Sequence, residues 1–344
     1  MLARLARELP IGEFLYEPKW DGFRCLAFVD VGGVDLRSRH DRPLARYFPE
    51  LVAAFRRLSP QPFVVDGEIV LASGVTGDFD FAALMGRLHP AASRVDRLSR
   101  EHPAAYVAFD LLALGDADLR GRPFAERRAA LEDLVPISRP PIFLTPATDD
   151  IDTARSWLEA FAGGGVDGVV AKHRSLPYEP GRRTMMKVKR ERTADCVVAG
   201  FRFLGEAPVV SSLILGLYDE RDDLRHVGVI TQLPMTQRRQ LVGDLSPRVV
   251  PLADHPWRDG FLIGASPLGR LKGSAARWTP DMEHDWVPLR PELVVEVGFD
   301  QVDVDRFRHP ARFRRWRPDR VATSCRIDQI RPPALELADV LRLS

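Results

Sequence analysis

Between Phe23 and Val29 the chain is mainly apolar, and Val34–Ser38 resumes the pattern after Gly32-Gly33, which predicts a β-hairpin turning through the glycines. The period then changes. Leu51, Val52, Phe55 and Leu58 recur at helical spacing and predict a helix over Pro49–Leu58. Phe63–Leu71 (FVVDGEIVL) reads as a buried strand interrupted by Asp66-Gly67-Glu68, acids that a strand of pure core would avoid. A short helix capped by Asp78 is expected to run to Leu88. Tyr106–Leu112 (YVAFDLL) is another apolar strand with one acid inside it, Asp110. Helices are predicted over Phe124–Leu134 and Ile151–Ala162, and a strand over Val166–Lys172.

Past Arg192 the pattern shifts to short strands: Asp195–Phe203, Ser212–Tyr218, Leu224–Thr231, Leu293–Val297 and Val321–Ile327, with one helix over Thr236–Leu245. About five short strands and a single helix fit a small barrel such as the OB-fold. A boundary near residues 190–194 divides the chain into domains 1–191 and 192–344. Gly163, Gly165 and Gly168 match G-x-G-x-x-G, but a helix precedes them and a strand follows. The dinucleotide fingerprint needs the reverse order, so these glycines read as a helix end and turn.

At 344 residues and 45% hydrophobic, the chain can bury two cores. No apolar run approaches the roughly 20 residues of a membrane span, and MLARLARELP is too short and too charged for a secretory signal. Cys25, Cys196 and Cys325 are odd in number and widely spaced, as reduced cytoplasmic thiols would be. Net charge is only +1, but Gly181–Arg192 holds six basic residues against one acid, and Gln301–Arg320 seven arginines against three aspartates. Two local basic stretches on a neutral protein suit a directed polyanion contact.

Lysine is the most informative residue. Of 49 basic side chains only five are Lys: Lys19, Lys172, Lys187, Lys189 and Lys272. A guanidinium stays protonated, whereas an amine can lose its proton and attack, so surviving lysines mark positions where Arg cannot serve. Lys19 follows Pro18 and precedes Asp21-Gly22 in LYEPKWDGFR, at the end of a strand and ahead of a turn. Charged residues recur inside or beside predicted strands: Lys19, Arg24, Arg39, Glu68, Asp110, Asp167, Lys172, Lys187 and Lys189. Burying them separately would be costly, so they should converge on one another or on a ligand. A metal–nucleotide site needs such a mixture of cations and acids.

In order, Lys19-Trp20-Asp21-Gly22 resembles the K-x-D-G nucleophile motif of the covalent nucleotidyltransferases, which comprise DNA ligases, RNA ligases and mRNA capping enzymes. Ser38-Arg39, Asp66-Gly67-Glu68 and Phe109-Asp110 are similar to the next three motifs. Asp167-Gly168-Val169-Val170-Ala171-Lys172 resembles E-G-x-V-x-K with Asp for Glu, Lys187-Val188-Lys189 the lysine pair, and Arg317-Pro318-Asp319-Arg320 the final R-x-D-K with Arg for Lys. The set spans residues 17–320 and most resembles the small bacterial ATP-dependent DNA ligases of the ligase C group and the ligase domain of ligase D.

The resemblance implies an α+β fold: an ATP-grasp-like nucleotidyltransferase (adenylation) domain of packed antiparallel sheets with helices, then an OB-fold barrel. It implies ATP and Mg²⁺ (or Mn²⁺) as cofactors, nicked double-stranded DNA as substrate, a role in DNA repair, and a cytoplasmic monomer working with repair or end-joining proteins and no membrane. Lys19 would be the nucleophile, carrying AMP before it passes to the nick. Glu17 would sit at the base edge and Phe109 would stack on adenine. Arg24, Arg39 and Arg183 would hold sugar and phosphates, and Lys187 and Lys189 the α-phosphate. Glu68 and Asp167 would face the metal, while Arg317 and Asp319 would orient pyrophosphate. An RNA ligase or a capping-type guanylyltransferase is the alternative enzyme. An OB-fold nucleic-acid-binding protein with a decayed pocket is the alternative of another class, against which the intact Lys19, Glu68, Lys187 and Lys189 argue.

Overall fold

The computed structural model describes all residues except 60, 74–76, 78, 136–139, 162–164, 261, 264–265, 268–285, 304, 332–334 and 344. Its contacts divide the chain into two compact units, Met1–Arg190 together with Pro333–Ser344, and Glu191–Pro332. The helix Leu337–Leu341 therefore packs in the first unit, whereas the sequence pattern had run the second domain on to residue 344. Leu337 and Val340 are fully buried there, and the Leu337 N–H donates to Gly77 O at 3.0 Å.

The fold is α+β. In the first unit β1 (Ala3–Ala6), β2 (Phe14–Trp20), β9 (Val166–His173) and β10 (Met185–Val188) form a four-stranded sheet in the order β1-β10-β9-β2. A larger sheet runs β4 (Gly33–Ser38), β3 (Phe23–Asp30), β5 (Phe63–Leu71), β6 (Ala104–Leu114) and β7 (Ala117–Asp118), with β8 (Ile142–Leu144) also beside β6. Pairing is antiparallel except for β1 with β10 and β6 with β8. The β3–β4 hairpin turns as the glycines predict: Asp30 Oδ1 accepts from the N–H groups of Gly32 and Gly33, which close the turn.

Two apolar clusters hold this unit together. One lies between the larger sheet and the helix Pro49–Phe55, with Leu51, Phe55, Val65, Tyr106 and Leu111 fully buried. The other joins Tyr16, Trp20, Val166 and Val169 of the smaller sheet to Trp157 on the helix Ile151–Ala160 and to Leu337 and Val340. The expected cap Asp78 lies outside the described residues. The helix Phe81–Gly86 is instead capped by Asp80, which accepts from Ala83 N at 2.7 Å. Of the turn glycines, Gly163 is likewise outside them, while Gly165 (φ 91°) leads directly into β9.

In the second unit β11 (Arg192–Leu204), β12 (Ala207–Tyr218) and β13 (Leu224–Ile230) join Val287–Phe299 and Arg312–Trp316 in one antiparallel five-stranded sheet, ordered β13-β12-β11-(Val287–Phe299)-(Arg312–Trp316). A parallel bridge from Ile230 to Ala311, whose N–H donates to Val229 O at 2.8 Å, links the two edges and closes the barrel. The strand predicted at Val321–Ile327 is reduced to a single parallel bridge between Arg326 and Tyr218. Residues Ala322–Ser324 form a 3₁₀ turn in which the Ser324 hydroxyl and N–H both bond back to Val321 O, and Ile327–Ile330 forms a second.

Candidate active site

The two sheets of the first unit bring their charged positions to a common cavity of about 450 Å³. Glu17 and Lys19 reach it from β2, Lys172 from β9 and Lys187 from β10. Arg24 of β3, Glu68 of β5 and Phe109 of β6 line it from the other sheet, with Arg39 and Arg183 at its exposed side.

Close approaches at glycines set the positions of Glu68 and Asp167 beside the Lys19 segment. A Cβ on Gly22 would stand 2.1 Å from Ile69 O, so only glycine lets the segment after Lys19 cross β5 beside Glu68. Glu68 Oε1 then accepts from Gly22 N at 3.1 Å. Gly168 has φ 153° and passes Val188 O at a distance where a Cβ would fall at 2.2 Å, which positions its neighbour Asp167. Gly67 lies against Tyr106, whose ring a Cβ would meet at 2.4 Å, so each residue of the Asp66-Gly67-Glu68 interruption has a separate reason. Asp66 turns away from the cavity and takes the Arg24 guanidinium at 3.0 and 2.6 Å, with Tyr178 Oη donating to it at 2.9 Å.

Asp167 lies between two lysines. Its Oδ1 is 2.6 Å from Lys19 Nζ, out of line for a hydrogen bond, and its Oδ2 accepts from Lys189. Burial alone would lower the Lys19 ammonium, but Asp167, helped by Asp21 and Glu68, outweighs it and pushes it upward. Lys187 moves the other way, lowered by burial and then by Lys19 and Lys189. The Glu68 carboxyl is pushed up to about 8 by burial, against the pull of Lys19 and Arg24.

Glu17 is buried, with Oε2 2.7 Å from Lys172 Nζ and Oε1 3.4 Å from Arg128 Nη1. Burial raises its carboxyl even beside these two cations. Lys172 also donates to Phe109 O at 2.9 Å and stands 4.8 Å from the Phe109 ring centre. Phe109 is only half-buried, unlike its neighbours in β6, and lines the cavity, with the Arg24 guanidinium 5.8 Å from its ring centre.

The geometry thus gathers Glu17, Lys19, Arg24, Arg39, Glu68, Phe109, Arg183 and Lys187 around one space. Lys189 and Asp167 stand behind them through Lys19. Arg317 and Asp319 belong to the second unit, where Arg317 Nη1 lies 2.9 and 3.0 Å from Asp195 and its Nη2 2.7 Å from Asp319, while Arg320 reaches Asp195 at 3.2 Å. Lys172, one of the charges expected to converge, has no role among those the resemblance implies, and Arg128 is not marked at all. The rarity of lysine pointed to Lys172, but nothing in the sequence marked Arg128 among 44 arginines.

A family model described as the ATP dependent DNA ligase domain matches residues 1–189, and one described as the ATP dependent DNA ligase C terminal region matches 206–320. The chain belongs to the ATP-dependent DNA ligases. DNA ligase C2 of Mycolicibacterium smegmatis is 51% identical, with 97% of this chain and 94% of that protein covered. DNA ligase C of Mycobacterium tuberculosis is 48% identical over 99% and 96%. Among solved structures, a Lig E DNA ligase has 18% identity and a TM-score of 0.53, covering 92% of this chain and 99% of that one, a likeness of fold.

As an ATP-dependent ligase the chain uses ATP and a divalent metal. Its residues fit such a metal. Glu68 is a carboxylate at the cavity wall with no ion-pair partner among the described residues, and burial makes its unpartnered charge unfavourable. No cluster of three or more His, Cys, Asp and Glu side chains suited to a metal occurs among the described residues. A Mg²⁺ here would take its remaining ligands from water and substrate phosphates, the usual arrangement for that ion.

Proposed function

We propose that this ligase seals nicks in double-stranded DNA with Lys19 as its nucleophile. The supporting observation is a lysine at the wall of a cavity where three of the other cations, Arg39, Arg183 and Lys187, have no carboxylate partner among the described residues. Three such cations beside a nucleophile suit a triphosphate, whose loose, anionic transition state needs positioning and charge neutralisation above all.

The Lys19 amine attacks the α-phosphorus of ATP, forming lysyl–AMP and releasing pyrophosphate. AMP then passes to the 5′-phosphate at the nick, and the adjoining 3′-hydroxyl displaces it. Asp167, 2.6 Å from Lys19, favours the ammonium and holds it in place, so the lysine gives its proton to solvent before it attacks. Lys187 holds the α-phosphate, with Lys189 fixing Asp167 behind it. Arg39 and Arg183 hold the outer phosphates, and Arg24, bound to Asp66, holds the sugar side. Phe109 stacks on adenine and Glu17 meets its edge. Glu68 would hold the divalent metal, which would supply charge neutralisation for the phosphates when bound, while Asp167, engaged with its two lysines, would face it only through water. Arg317 and Asp319 serve the same first step, orienting pyrophosphate. We assign the protein to DNA repair in the cytoplasm, acting as a monomer alongside repair or end-joining proteins.

Incubation with α-labelled ATP and Mg²⁺ should place label on the protein at Lys19, and addition of nicked duplex should then remove it and yield sealed strand. Label from GTP but not ATP would overturn the nucleotide assignment, and stable label that nicked DNA cannot discharge would overturn the substrate.

A further inference from the structure

Arg128 carries no part of the nucleotidyltransferase motifs, yet it reaches Glu17, a residue of the cavity wall, from outside the cavity lining. It lies on the helix Phe124–Leu134 and is 6% exposed. Its Nη1 stands 3.4 Å from Glu17 Oε1, its Nη2 donates to Thr145 O at 2.9 Å, and its Nε donates to Glu132 Oε1 at 2.6 Å. Fully buried Thr145 in turn accepts from the Trp20 indole at 2.8 Å, one residue from Lys19. From one helix position, Arg128 therefore connects to both Glu17 and the support of the nucleophile strand.

Glu17 is the consequence. Its carboxylate is buried at the cavity wall and is engaged from two sides, by Lys172 at 2.7 Å and Arg128 at 3.4 Å. A carboxylate has about four lone-pair positions, and these two cations occupy only part of them. Burial favours its neutral form and the two cations oppose that; the ionised carboxylate they favour can only accept hydrogen bonds. An acceptor held at that wall attracts a purine that donates from its 6-position and repels one that presents an oxygen there. Were Arg128 absent, a buried acid with one cation would have reason to take up a proton or rotate, and the selection would weaken.

We propose that Arg128 is a positioning residue for nucleotide choice: with Lys172 it holds the Glu17 carboxylate as an acceptor facing the cavity, so that the ligase selects a purine triphosphate with a 6-amino group. The inference rests on the proposed reading of this cavity as the ATP site.

The test compares self-adenylation-type labelling with ATP and with purine riboside triphosphate, which lacks the 6-amino group, for wild type, Arg128→Met, Arg128→Lys and Glu17→Ala. The ratio of kcat/KM for the two nucleotides is the readout, because damage to the fold lowers both rates together and leaves the ratio alone. Arg128→Met should reduce the wild-type preference for ATP about tenfold, mainly through the KM for ATP, and Arg128→Lys should keep most of it. If Arg128→Met is insoluble, Arg128→Gln, which keeps donors for Thr145 O and loses the charge toward Glu17, gives the same comparison. A preference lost in Glu17→Ala but unchanged in both Arg128→Met and Arg128→Gln overturns the role of Arg128 alone. A preference unchanged in Glu17→Ala overturns the reading of the site beneath it.

Discussion

Glu68 can be tested without turnover. Its carboxyl is raised from 4.5 to about 8, first by burial, with Lys19 and Arg24 opposing and Asp21 reinforcing. Through that interval the folded protein keeps a proton that the unfolded chain has released. Stability therefore falls as pH rises from about 4.5 to about 8, and the loss is complete above the higher value. At about 1.36 kcal/mol per pH unit the full interval corresponds to at most about 5 kcal/mol, which relaxation and water in the cavity reduce to about 2 kcal/mol. Glu68→Gln replaces the acid with a neutral side chain of the same shape. In urea unfolding without divalent cations, mutant and wild type should agree near about pH 5, and the mutant should be the more stable by about 2 kcal/mol near about pH 9. Mg²⁺ added at the higher pH should stabilise wild type and leave the mutant unchanged. A difference that does not vary with pH, or one that favours wild type at high pH, would refute the account of Glu68 as an unpartnered carboxylate suited to a cation.

Lys19→Arg should be as inactive in self-adenylation as Lys19→Ala, since a guanidinium has no free lone pair for phosphorus; appreciable labelling of the arginine variant would remove Lys19 from its role. Arg317→Ala should fail to adenylate itself yet seal a nick whose 5′ end already carries AMP, and equal loss of both activities would make Arg317 a DNA contact or a folding residue. Asp167→Asn should raise the Mg²⁺ concentration needed for adenylation with little change in ATP affinity, which a metal titration of the labelling rate will show. Gly22→Ala should destabilise the first unit by about 1–3 kcal/mol, because its new Cβ meets Ile69 O at 2.1 Å, and should slow adenylation by shifting Lys19; a melting temperature equal to wild type would contradict the close approach.

The helix Phe124–Leu134 and the strand Phe63–Leu71 were legible to the residue, although the helix buries Arg127 and Arg128 beside Phe124 and Leu131 and the strand is buried on both faces. Acids inside strands were also a sound guide that charges would meet, although they meet in two ways. Asp66 and Asp110 serve protein partners, Arg24 and Arg127, whereas Glu68 has no cation of its own among the described residues. Sequence spacing alone could not sort them, since alternation in a strand does not reveal which face another sheet will cover. Arg312–Trp316 escaped notice for the opposite reason. Its sequence, RFRRW, looks like a solvated charge run, yet Arg312 and Arg314 are engaged by Glu191, and Arg315 by Glu296 on the neighbouring strand. The apolar Val321–Ile327 looked more like a strand and keeps only one bridge, Arg326 with Tyr218, while Val321–Ser324 turns back on itself through Ser324. At the site, the motifs brought forward the residues on the cavity wall, whereas Arg128, which acts from behind Glu17, has no signal of its own in a chain so rich in arginine.

The helix Leu337–Leu341 gives the gene an order of assembly. Leu337 and Val340 complete a cluster with Trp20, Val70, Ala105 and Trp157, so a core that begins near residue 16 is finished only by residues translated after the whole barrel. In topological terms the barrel is an insertion, and a ribosome releases the adenylating unit whole only once the barrel has already emerged. A cut near Arg192, the natural place to separate two functions, thus withdraws two buried side chains from the other unit, each worth about 1.5–3 kcal/mol. Loss of adenylation in such a fragment would then report a damaged core as readily as a missing Arg317. A fragment that joins residues 1–190 to 335–343 through a short flexible linker would keep the core and isolate the contribution of the barrel.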